Sequence, residues 1–170
     1  MRRVSNHDAG ARGIIKQIVS GGQTGVDRAA LDVALELGLP CGGWCPKGRR
    51  AEDGTLPARY PLNEAPSEEY AQRTTWNVRD SDATLILTRG KPTGGTAQTV
   101  EETLRLEKPC FVVDLATPSL PSGVLDWIAT HRIRILNVAG PRESKCPGIY
   151  EAAARFLREA LSRGPSAEGD

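Results

Sequence analysis

The chain has 170 residues, room for one domain with a core of its own, and its 22 Lys and Arg against 21 Asp and Glu leave a net charge of +1. That balance gives no electrostatic case for bulk nucleic-acid or membrane binding, and 5% aromatic residues are too few for a base-stacking single-strand binder. Four Cys make no disulfide framework at this size, no segment approaches the roughly 20 apolar residues of a membrane span, and residues 1–7 lack the apolar stretch of a signal peptide, so a reducing cytoplasm is the expected setting.

In chain order, residues 1–13 read as a flexible polar arm, 14–162 as a single ligand-binding domain and 163–170 as a flexible tail. Ile14-Ile15-Lys16-Gln17-Ile18-Val19 is a β-branched run ending in Ser20-Gly21-Gly22, the pattern of a buried strand running into a glycine turn. Val26, Ala29, Ala30, Val33, Ala34 and Leu37 then recur at helical spacing, and Gly38 stands where a helix is closed by glycine. Residues 39–44 predict a second strand. Residues 45–66 hold Pro46, Pro57, Pro61 and Pro66 and predict a long loop, a length usually kept for function or disorder. A weakly amphipathic helix is expected over 67–80 and a third strand over 83–88. A second glycine turn, Thr93-Gly94-Gly95-Thr96, leads into a helix carrying Ala97, Val100 and Leu104. Strands four and five fall at 109–114 and 133–138, with a helix marked by Val124, Trp127 and Ile128 between them. A well-patterned last helix runs from Ile149 to Ala160.

Strict strand–helix alternation with continuous apolar strands predicts an α/β fold: a doubly wound parallel sheet of about five or more strands, with helices on both faces. In the order 2-1-3-4-5, strands one and three are neighbours at the switch point, and their glycine turns face one crevice. The first turn offers Gly21, Gly22, Gln23, Thr24, Gly25 and Asp27; the second offers Gly94, Gly95, Thr96 and Thr99, with Glu101 a turn further on. Glycines admit a ligand close to the backbone, and a helix start attracts anions. The plainer reading is a structural tight turn, with Asp27 and Glu101 merely complementing helix dipoles. Lys47 and Arg49 on the long loop suit an anion clamp, or a solvated surface. Arg73, Thr74 and Asn77 share a helix, where they either hold the first turn or reach the ligand.

Several chemistries are excluded. Ser20 occupies the first glycine of G-x-G-x-x-G, and Gly43-Trp44-Cys45 replaces the ribose-binding acid, which removes a dinucleotide site. No P-loop motif occurs. Cys41 and Cys45 have no His or second Cys pair beside them for zinc. His7 and His131 are poorly placed for acid–base work, and no Ser or Cys stands in a nucleophile motif.

Residues 18–29, then Gly43-Trp44-Cys45-Pro46-Lys47-Gly48-Arg49, Ala51-Glu52-Asp53-Gly54, Arg73-Thr74 with Asn77, Asp80-Ser81-Asp82 and Gly94-Gly95-Thr96, resemble in order the motifs of the molybdenum cofactor carrier family. The resemblance implies a Rossmann-like fold that binds molybdenum cofactor, a phosphate-bearing pterin, and passes it on to molybdenum enzymes without turnover, as a homo-oligomer (dimer or tetramer). The chain is also similar to the lysine-decarboxylase-like phosphoribohydrolases, whose signature P-G-G-x-G-T-x-x-E is met here by Gly94, Gly95 and Glu101 but not by Thr93, Ala97 and Gln98. That likeness implies an alternative, a nucleotide N-glycosidase using Glu101; a nucleotide-sensing module without turnover is a third reading.

Overall fold

In the computed structural model, residues 14–117 and 120–162 are described; the expected arm 1–13 and tail 163–170 lie outside them. The elements are β1 (Gln17–Val19), α1 (Val26–Glu36), β2 (Cys41–Gly42), β3 (Trp44–Cys45), β4 (Arg50–Ala51), β5 (Gly54–Thr55), β6 (Asn63–Glu64), α2 (Tyr70–Arg79), β7 (Ala83–Thr88), α3 (Gly94–Arg105), β8 (Cys110–Asp114), α4 (Pro121–His131), β9 (Ile135–Ala139) and α5 (Ile149–Ser162). Gly38 closes α1 as its position requires. At φ 68° it lets its own N–H reach Leu35 O at 3.3 Å and the Leu39 N–H reach Ala34 O at 2.9 Å, the paired bonds of a Schellman end.

β2, β1, β9, β7 and β8 form one parallel sheet in that order. This corrects the expected 2-1-3-4-5. The first and third long strands, β1 and β7, are not neighbours; β9 runs between them, with Leu136 opposite Ile18 on one side and Ala83 on the other. The cause lies in α5. Its apolar face, with Ile149, Ala153, Phe156, Leu157 and Leu161 buried, packs on α1, whose Ala29, Ala30 and Ala34 let a helix approach closely. Docked there, α5 carries β9 to the flank of β1. β9 is buried on both faces, and its one polar side chain, Asn137, donates to Thr84 Oγ1 at 3.2 Å. Helices α4, α5 and α1 form one layer over the sheet, and α2 and α3 pair on the other.

The expected second strand is broken at Gly43, so that β2 joins the main sheet while β3 pairs with β6. The segment predicted as a loop over 45–66 is therefore built. β4 and β5 make a hairpin, and Leu31, Cys45, Leu56, Tyr60 and Leu62 form a second small core beneath it.

Candidate functional site

Counting β9 as one, β1 as two, β2 as three, β7 as four and β8 as five turns the sheet order into 3-2-1-4-5, the order of dinucleotide folds. The switch point then lies between β9 and β7. A cavity of about 310 Å³ opens there, at the carboxyl ends of the strands. The segment after β7 supplies Arg89, Lys91 and Thr93. The segment after β9 supplies Gly140, Pro141, Arg142, Lys145 and Cys146, and α2 contributes Tyr70, Arg73 and Thr74.

The cavity is lined by cations. Lys145 Nζ lies 3.4 Å from where a Cβ on Gly94 would stand, so an ammonium sits beside the first residue of α3. Thr93 is the N-cap but its side chain makes no bond to the helix; its carbonyl accepts the Thr96 N–H at 3.1 Å, and among the described residues the Gly94 and Gly95 N–H groups have no partner and can meet an anion. Gly95 has open space above it. Arg73 and Arg142 lie over the Tyr70 ring, at 5.7 and 5.9 Å from its centroid.

The lining also holds a buried ion pair. Asp27 Oδ2 accepts from Arg73 Nη1 at 3.2 Å and from the Gln23 N–H at 3.4 Å. Burial pushes the Asp27 carboxyl above the usual carboxylate range; Arg73 opposes that shift without cancelling it. Among the described residues the buried Arg73 Nε has no hydrogen-bond partner, an unmet donor on a side chain that lines the cavity.

The candidate residues divide. Gln23, Asp27, Arg73, Thr74, Gly95, Thr96 and Thr99 line the cavity; Gly21, Gly22, Thr24, Gly25, Lys47, Arg49, Asn77, Gly94 and Glu101 do not. The first glycine turn is filled by the protein itself. A Cβ on Gly21 would meet Arg73, one on Gly22 would meet Leu56 and Leu62, and one on Gly25 would meet Pro141 O. Arg49 spends its guanidinium on the loop, donating to the carbonyls of Leu56, Pro57, Tyr60 and Leu62 at 2.9–3.4 Å. Asn77 brackets the Trp44 backbone, accepting its N–H at 2.7 Å and donating to its carbonyl at 3.0 Å. Thr24 donates to the Glu52 carboxylate, while Lys47 and Glu101 are exposed. Sequence reading missed the segment 140–146. Its signal was a Gly-Pro-Arg at the end of an apolar strand, with Lys145 following.

A parallel sheet in permuted order, with a cationic cavity across its switch point, defines a Rossmann-type domain with its crevice at the carboxyl ends of the strands. The chain belongs to the circularly permutated YpsA SLOG family, which residues 18–161 match. It is also similar to a solved structure from Syntrophus aciditrophicus SB described as a "putative molybdenum carrier protein": 46% identity, a TM-score of 0.84, and coverage of 87% of this chain and 95% of that one. No curated protein matches the chain.

Proposed function

We propose that the protein binds molybdenum cofactor as cargo in this cavity and carries it to molybdenum enzymes without changing it. The observation that carries the reading is the cavity's polarity: Arg89, Lys91, Arg142 and Lys145, the start of α3 and the buried Asp27–Arg73 pair all line it. A phosphate tail fits the first N–H groups of α3 with Lys145, Arg142, Arg89 and Lys91; a polar heterocycle fits the wall of Gln23, Asp27, Arg73 and Thr74. The unmet Arg73 Nε supports a ligand with acceptor atoms. The name of the 46%-identical relative supports molybdenum-related cargo. Hydrolysis is the less favoured reading because Glu101, the residue it would need, is exposed on α3 outside the cavity lining. A homo-oligomer, dimer or tetramer, that roofs the cavity is part of the proposal.

The test is anaerobic purification followed by mass spectrometry and metal analysis. The expected result is a pterin phosphate with molybdenum bound to the wild-type chain and lost from Lys145→Glu. Free base released from a nucleoside monophosphate, and abolished by Glu101→Ala, would replace the carrier by the hydrolase.

A further inference from the structure

Two side chains on the deep wall of the cavity are left half-used by the fold. Asp27 has a side chain only 5% exposed. Both of its protein donors, Arg73 Nη1 and the Gln23 N–H, go to Oδ2. Among the described residues nothing donates to Oδ1, although Asp27 lines the cavity. Gln23 is 7% exposed and lines the same wall. Its Oε1 accepts two backbone N–H groups, from Thr24 at 3.0 Å and Glu52 at 2.9 Å, which fixes the amide's orientation. The Nε2 amide is then the free end, and it donates to no described residue. Neither atom is sealed in the protein interior, so a molecule in the cavity can take up the bonds that the fold leaves open.

The wall thus presents a carboxylate acceptor and an amide donor in a cavity also lined by Arg89, Lys91, Arg142 and Lys145. A metal ion does not suit this acceptor. Arg73 already stands at 3.2 Å from the carboxylate, and among the described residues no group of three or more His, Cys, Asp or Glu side chains is placed to hold a metal. A neutral edge does suit it. A carboxylate oxygen accepts from a ring N–H and an exocyclic amino group, while the amide donates to the adjoining carbonyl. That donor–donor–acceptor edge belongs to 2-amino-4-oxopyrimidines, the shared chemistry of pterins and guanine. A 2-oxo ring places an acceptor against Asp27, and an adenine-type ring lacks the ring N–H and the carbonyl.

We propose that Asp27 and Gln23 are the specificity-determining residues of the cavity and select anionic ligands carrying a 2-amino-4-oxopyrimidine ring. This rests on the cavity being the cargo site. Calorimetric titration of the full chain tests it with five probes: neopterin monophosphate and its 2-oxo lumazine counterpart, GMP and IMP, and inorganic pyrophosphate. In at least one pair the amino member binds about tenfold tighter or better, and Asp27→Asn narrows that ratio toward one. Selectivity confined to the first pair assigns the site to pterins, and selectivity confined to the second assigns it to guanine nucleotides. Pyrophosphate binding with no preference within either pair overturns the proposal and leaves the cavity standing as an anion site. No binding of any probe overturns the cavity reading and this inference with it. The wild-type ratios decide the matter even if Asp27→Asn does not fold.

Discussion

Gly21 has no room for a side chain, because a Cβ there would stand 1.5 Å from Arg73 Nη1. Gly21→Ala is expected to push the guanidinium off its seat and leave Asp27 buried without its cation, at a cost of about 2 kcal/mol in urea unfolding. Arg73→Met in the same background should add little, since the contact is already lost. Asp27 itself gives a pH signature. Its carboxyl is raised by burial, against the pull of Arg73 and Arg28, so the folded state holds a proton that the unfolded chain has already released. The stability contributed by this group is therefore greatest in acid and falls as pH rises through the folded pKa. Ligand donors favour the ionised carboxylate, so affinity is expected to rise with pH over that same window, with proton release on binding. Calorimetry in two buffers of different ionisation enthalpy reads that release. The sequence placed Asp27 and Arg73 among the site residues. It could not tell that Gly21 makes space for Arg73 rather than for a ligand, since a glycine declares an approach but not what approaches.

The excursion from β3 to β6 works as a strap that ties the first glycine turn to the segment after β9. The Glu52 N–H donates to Gln23, and the Glu52 carboxylate accepts from Thr24 and from Ser144, whose N–H is 3.1 Å and Oγ 2.6 Å away. Arg28 pairs with Asp53 in two parallel bonds of 2.9 and 3.0 Å. Burial works against ionisation of Glu52, yet the bonds from Ser144 and Thr24 hold its carboxyl below the usual range. The strap's contribution is present above the ordinary glutamate pKa and is lost as pH falls below it, so proteolysis within 46–64 is expected to quicken there first. Arg49 holds the strap's interior. Arg49→Lys should cost about 2 kcal/mol in thermal unfolding while leaving anion affinity in the folded protein unchanged, the reverse of what a ligand clamp would give. Much of this scale was legible: β7 matches its predicted bounds, and Gly38 ended α1 as expected. The strap was not, because three prolines and short strands of two residues carry no periodicity to read. The segment after β9 was missed for another reason. Its importance comes from where β9 sits in the sheet, and chain order does not state spatial order.

At the scale of the molecule, the two layers differ in how they are finished. The layer of α1, α4 and α5 encloses the main core, whereas on the α2–α3 side Leu104 is 72% exposed and Val112 on the edge strand β8 is 43% exposed. Trp76 is engaged within the chain, edge-on to Trp44 at 4.7 Å with Arg79 over its ring at 4.8 Å. Trp76→Ala is therefore expected to lower the melting temperature without changing the particle mass measured by light scattering. The position of β9 also governs the order in which the molecule can assemble. As the chain is synthesised, β1 can pair only with β2, and β7 only with β8. These two ladders share no edge until residues 135–139 emerge and pair with both. The middle of the sheet is its last piece, so the facing edges of β1 and β7 stay open through most of translation and close in a single late step. A ribosome pausing before residue 135 would hold two unfinished half-sheets with exposed inner edges, and chaperone demand should peak there rather than at the end of the chain.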